Sequence, residues 1–296
     1  MSRFVDIDLT GLPPPSVVEA LDFETILATW IDDMVARMAT LNVAYDVETL
    51  ESDPAKKIEE AGSFRELLVR SRINDAAQAV MAALALGSDL DQLAAYYGVQ
   101  RLVVTPATDD APAVLETDAA LRRRMQLAPE AFAAAGPEGA YRFHALTVDG
   151  TIKDVQVLAP APGQVHVLPL IGSGDGTPGN DLLERVRARL LESDIKPLTD
   201  MLTVRAPTIV NYVVTASLVV AEGPDPEVVR KASEDNAKNY VASRHLIGLP
   251  VRISALFAAL HVAGVEQVTL SSPTADVVPA EDAAAFATSV TVSVMP

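Results

Sequence analysis

The chain has 296 residues and no cysteine, with 23 basic against 40 acidic side chains and a net charge of −17. Its length predicts about two domains and is ample for a core without staples, while the missing cysteine excludes disulfides, Cys-ligated zinc, a thiol nucleophile and thiol redox chemistry and fits a reducing compartment. The acidity argues against a general nucleic-acid binder, and a hydrophobic share of 49% excludes intrinsic disorder.

Met1 to Asp8 shows no basic region followed by an apolar core, so no signal peptide is expected. No run reaches the length and apolarity of a membrane span, so no membrane partner is expected either. Leu12-Pro13-Pro14-Pro15-Ser16 reads as a stiff, extended lead-in. Phe23, Leu27, Trp30, Met34, Met38 and Leu41 then recur at steps of four and three. That stripe predicts a helix over about 16–41, roughly seven turns long. Asp53-Pro54 predicts the next helix, with Asp53 as cap and Pro54 in the first turn. It runs through Arg65, Leu68, Arg72 and Ala76 toward Leu86 and stops at Gly87. Ser88 is expected to cap a short helix that ends at Tyr97-Gly98.

Val103–Pro106 reads as a short strand, 109–112 as an acidic loop, and Leu121–Phe132 and Gly139–Leu146 as helices parted by Ala135-Gly136-Pro137. Ile152–Leu158 and Gln164–Leu170 flank Ala159-Pro160-Ala161-Pro162-Gly163, a hairpin signal. Gly172–Gly179 leads into a helix over Leu182–Leu191, and Met201–Arg205 returns as a strand. The rest predicts a strand at Ile209–Val220, helices at Glu227–Val241 and Ser254–Val262, and strands at Val265–Leu270 and Ala287–Val294. Residues 152–160 and 265–273 share a polarity pattern, and each follows a helix carrying a histidine and ending in a glycine turn. The fold class is therefore α+β: an N-terminal helical arm (1–98) followed by two related α+β modules (99–206 and 207–296), although chance gives the same echo.

The search for chemistry yields little. His144, His166, His245 and His261 lack ligand spacing and read as surface or structural groups, so no metal is expected. Gly174-x-Gly176-x-x-Gly179 fits the dinucleotide fingerprint formally. Against it, the preceding strand reads as half of a hairpin and not as the first strand of a parallel βαβ unit. Asp175 would also oppose a pyrophosphate, and no lysine follows as in a Walker loop. The plainer reading is a connection in which Thr177 caps and Pro178 opens the helix. Arg122-Arg123-Arg124 reads as a solvated helix face bridged by Glu116 and Asp118, or as a grip for an acidic partner. No serine sits in a nucleophile elbow, so neither a catalytic residue nor a cofactor is expected, and a structural or assembly role is favoured.

Taken together, stretches along the whole chain are similar to the baseplate assembly protein J family of contractile phage tails, which also occurs in R-type pyocins. They are Ile7-Asp8-Leu9 before Leu12-Pro13, Leu21–Glu24, Ala44–Val47, Leu50–Pro54, the arginine-rich run Phe64–Ala76 and Gly87–Ala94. Ala128–Phe132, Gly136–Ala145, Pro197–Asp200 and Ser254–Val265 continue the match. Phe64 stands where the family usually has Tyr, and Lys196 where it usually has Arg. The resemblance implies a baseplate wedge component that pairs with a second copy and a smaller wedge protein through an N-terminal helical bundle. The stripe Phe23, Leu27, Trp30, Met34, Met38 and Leu41 supplies what such a bundle helix needs. Six wedges would close around the hub and spike through the C-terminal modules, touch hub and sheath-adaptor proteins, and couple receptor contact to sheath contraction. Such a protein is expected in the cytoplasm of the producing bacterium during assembly, then in the baseplate of the released particle. The competing expectation is a soluble α/β nucleotide-binding enzyme that uses the Gly172–Gly179 loop.

Overall fold

A computed structural model describes residues 8, 9, 11–43, 50–133, 136–223 and 225–295. Residues 1–7, Ala44–Val47 and Ala135 from the sequence reading lie outside them. The chain divides into two compact units at Tyr96/Tyr97.

The first unit is helical. Helix α1 spans Phe23–Thr40, 18 residues, or about five turns rather than seven. It starts late because the Asp22 carboxylate captures the Thr25 amide at 2.8 Å. Upstream, the Asn74 side chain holds Glu19 out of any helix, accepting from its amide at 3.0 Å and donating to its carbonyl at 2.9 Å. Helix α2 spans Pro54–Ala79 and begins as expected, with Asp53 accepting from the Ala55 and Lys56 amides. It stops short of Leu86; the alanine-rich run beyond it folds into turns, with the Ala85 amide bonded to the Met81 carbonyl at 2.8 Å. Helix α3, Gly87–Ala95, begins on Gly87 at φ +53° without a cap from Ser88.

The second unit opens with strands β1 (Val103–Thr105) and β2 (Val114–Leu115), paired antiparallel around the acidic loop. Helix α4 (Asp118–Leu127) follows a Thr117 cap and passes into a 3-10 turn, Ala128–Phe132. Helix α5 (Glu138–Val148) leads to the expected hairpin of β3 (Ile152–Leu158) and β4 (Gln164–Ile171), then to helix α6 (Asn180–Leu190) and strand β5 (Met201–Val204). The sheet order is β3-β4-β5, with β4 and β5 parallel. Tyr141, Ala145, Val155, Val167, Val186 and Leu190 fill the core between the sheet and α5 and α6.

The last stretch comprises β6 (Thr208–Val220), α7 (Pro226–Arg244), α8 (Ile253–Leu260), β7 (Val265–Ser272) and β8 (Ala283–Val294). Its sheet order is β7-β6-β8; β6 runs antiparallel to β7 and parallel to β8. Each three-stranded sheet thus sets one antiparallel and one parallel neighbour beside its central strand. The chain enters the central strand second in one sheet and first in the other, so the modules share a layout but not a path. Ala216 and Leu218 point from β6 onto Val229 and Ala237 of α7 and Leu260 of α8.

Candidate interaction surfaces

The six stripe residues do not form one uniform surface. Leu27 is buried with Ile26, and Phe23, Trp30, Met34 and Met38 are half-buried. Leu41 is 70% exposed. Trp30 lies against Gly62, where a Cβ would stand 2.5 Å from the ring, and its indole N–H donates to Glu66. Leu27 and Trp30 therefore belong to the helical hairpin that α1 and α2 form by packing together. The far half of the stripe, Trp30, Met34, Met38 and Leu41, lines an open cleft of about 560 Å³ rimmed by the Asp33–Arg37 ion pair.

Helix α2 adds a surface that periodicity on α1 did not point to. Lys56, Ser63 and Asn74 are buried on one side. The opposite side leaves Ile58, Phe64, Leu68, Val69 and Ile73 exposed, with Arg65 and Arg72 among them. The apolar residues were visible in the arginine-rich run, but a helix with apolar groups on two sides does not announce which side its own chain covers.

A third surface is the uncovered face of the β7-β6-β8 sheet. Thr215 pairs with Thr291, Ser217 with Ser293 and Val213 with Ser289 across β6 and β8, and Thr269 of β7 stands opposite Ser217. All these side chains are exposed except Ser217, which is half-buried. Ser217 and Ser293 hydroxyls lie 3.1 Å apart. These rows carry no charge on a chain of net charge −17. Nothing electrostatic keeps a like-charged copy away from this patch at short range.

The remaining sequence candidates take structural places. Arg124 is buried and paired with Glu116 through two bonds of 2.9 and 2.5 Å, and also donates to the Gln100 carbonyl. Arg123 turns inward to Asp154, and Asp118 pairs with Arg101. Arg123 and Arg124 are thus taken up in ion pairs within the fold and do not form a solvated face. An arginine on an acidic chain finds its carboxylate through the fold, which spacing along one helix cannot show. His245 is buried, its Nδ1 2.8 Å from the Ala285 carbonyl. His144 and His166 are half-buried and His261 is exposed. Burial, with Arg189 nearby, lowers the pKa of His144. Burial and then the Asp200 carboxylate, 2.7 Å away, raise that of the Tyr141 phenol. Among the described residues no three acidic or histidine side chains converge as metal ligands, and no helix is long and apolar enough to cross a membrane.

At the glycine loop one expectation is corrected. Strand β4 is antiparallel to β3 but also parallel to β5 across α6, so the loop does sit in a βαβ step. Its backbone nevertheless closes on itself. The Gly172 amide donates to the Thr151 carbonyl at 2.9 Å, and the Gly176 amide to the Ser173 carbonyl at 3.1 Å. The Thr177 amide donates to Asp175 at 3.0 Å, which holds that carboxyl below the usual carboxylate range. A phosphate cradle needs several free amides aimed at one point. Helix α6 starts at Asn180 after Gly179, without a side-chain cap from Thr177. The geometry gives the enzyme alternative no support.

Comparison with known proteins gives three domain matches. Residues 51–108 match the Baseplate J-like N-terminal domain, 133–206 the Baseplate J-like central domain, and 212–293 the Baseplate J-like protein C-terminal domain. The chain is also 41% identical over 295 residues, covering 95% of both chains, to Baseplate protein J of Escherichia phage P2. On domain matches along most of its length and this identity, the chain belongs to the Baseplate J-like family.

Proposed function

We propose that the chain is a structural wedge component of the baseplate of a contractile tail, phage or R-type pyocin, and that it works by assembly without catalysis. Family membership and the name of the phage P2 relative support the baseplate. In this reading residues 1–98 form a helical arm, 99–206 a middle module and 207–296 a self-association module. Two copies and a smaller wedge protein join through their arms. Six wedges close around the hub and spike, hold the sheath extended and pass receptor contact on to contraction. Assembly takes place in the cytoplasm of the producing bacterium, and the protein leaves in the baseplate of the released particle.

The observation that carries the arm's role is the apolar surface that α1 and α2 leave open: the cleft ending at Leu41, and Phe64, Leu68 and Ile73 on α2. Fully burying one such side chain is worth about 1.5–3 kcal/mol, so a few of them hold a partner helix. The test must spare Leu27 and Trp30, which hold the hairpin. The pairs Met38→Asp/Leu41→Asp and Phe64→Asp/Leu68→Asp should each melt like wild type and lose the smaller wedge protein on co-purification. Wild-type recovery of that protein with both pairs would overturn the assignment.

A further inference from the structure

The middle and C-terminal domains, separate as family matches, share one buried carboxylate. Asp154 of β3 is fully buried. Its Oδ1 accepts from Arg123 at 2.9 Å and from Arg142 at 3.1 Å, both in the middle part. Its Oδ2 accepts from the backbone amide of Ile247, 3.1 Å away in the C-terminal part. We propose that Asp154 is a positioning residue that pins the C-terminal sheet to the middle sheet, so that the two turn as one body when the baseplate contracts.

The physical case is that separation leaves buried groups stranded on both sides. Ile247 is fully buried, so its amide has no water to replace the carboxylate. The carboxylate would keep its two guanidinium partners and lose the Ile247 amide as a donor to its second oxygen. Apolar packing surrounds the bond: Leu168 and Leu170 of β4 meet Ile247 and Ala284, all fully buried. Lys153 Nζ donates to the Ala242 carbonyl in the last turn of α7 at 2.8 Å, where a cation suits the helix dipole. Gly176 closes against the His245 imidazole without room for a Cβ. Arg205 and Asp282 pair at 2.9 Å. These contacts come from β3, β4, the glycine loop and the end of β5 on one side. On the other they come from α7, residues 245–247 and the start of β8. A hinge needs its contacts gathered along one axis, and these are spread over the whole joint.

The part of the proposal that concerns contraction rests on the baseplate reading; the pin itself does not. The first test is amide exchange on the purified full chain. The Ile247 amide should exchange as slowly as those of Val167 and Leu218. Asp154→Ala should speed Ile247 at least tenfold relative to Val167, and Asp154→Asn, which keeps an acceptor oxygen, should recover part of the loss. A purely structural role would move Ile247 and Val167 together, which overturns the pin. Should the alanine variant not fold, wild-type exchange still decides: an Ile247 amide that opens while both cores stay closed also overturns it. The second test uses the absence of native cysteine. Particles carrying Arg205→Cys and Asp282→Cys, bridged by a short bis-maleimide, should contract as fully as unbridged ones. Arrest on bridging alone would show motion across the joint. If the chain is absent from purified particles, the baseplate reading fails while the exchange result still stands.

Discussion

Gly176 has φ +89°, and a Cβ there would stand 2.5 Å from a Leu170 methyl and 2.7 Å from His245 Nε2. Gly174 is also left-handed, at φ +61°, but faces open space. Two of the three glycines of the apparent nucleotide motif are thus distinguished by packing. Gly174→Ala carries only the backbone strain of a non-glycine residue in the left-handed region, about 1–2 kcal/mol. Gly176→Ala adds overlap in a packed joint, commonly about 1–3 kcal/mol more. Urea unfolding should place Gly176→Ala clearly below Gly174→Ala in midpoint, with equal slopes. Calorimetry of the wild-type chain with ATP, GTP, NAD and FAD should show no saturable heat. Micromolar binding abolished by Gly174→Ala would restore the nucleotide reading.

A helix start needs only a side-chain oxygen and one or two nearby amides, which made Asp53 legible as the cap of α2, whereas the expected caps at Ser88 and Thr177 are not used. Asp53 caps α2 and Asp225 caps α7; Asp53→Ala should cost about 1 kcal/mol. At Asp22 the Thr25 hydroxyl, and then the Thr25 amide, lower the carboxyl pKa below its ordinary 3.8. A lowered folded pKa means that the cap's stabilisation is present above the ordinary carboxylate range and lost as pH falls through the folded value. The Thr25 amide should therefore keep its protection from about pH 7 down to about pH 5 and lose it only in stronger acid. Loss of that protection already between those two values would contradict the cap. Helix ends were harder. Nothing in the alanine-rich run after Ala79 disfavours helix, and its conversion into turns is a choice of tertiary packing over propensity.

The chain carries −17, and long-range repulsion between copies must be overcome by short-range burial. The uncharged Ser/Thr face of β6 and β8 is our candidate for that contact. A truncation after Pro207 cannot test it: Leu168 and Leu170 would lose their cover, and Asp154 its bond to Ile247. Substitution on the face avoids this problem. Self-association should strengthen as salt rises from about 20 to about 200 mM, by screening, and should vanish in Ser217→Arg/Thr291→Arg, read by sedimentation velocity. A lasting contact needs about 1,200–2,000 Å² buried in total, so a weak dimer in dilution and a firm one in a closed ring are compatible. Unchanged association in the double variant would assign ring closure to another surface.

Local rules reached a definite set of features. The β3–β4 hairpin, the capped start of α2 and the succession of helices and strands all follow from neighbours in sequence. The spread of family-like stretches carried the kinship. Those signals persist because turns, caps and periodicity act over a few residues. The partners of polar side chains lay beyond such rules. Asp154 alternates with Val155 as a solvent-facing residue would, yet it is buried, because the segment between α7 and α8, 93 residues away, supplies the Ile247 amide. Arg123 and Arg124 read as surface groups and are internal for the same reason. The stripe on α1 was visible, but its division into a half that holds α2 and a half that stays open came from Gly62 meeting Trp30. Periodicity names a face; only the packed chain shows how much of that face its own residues have already covered.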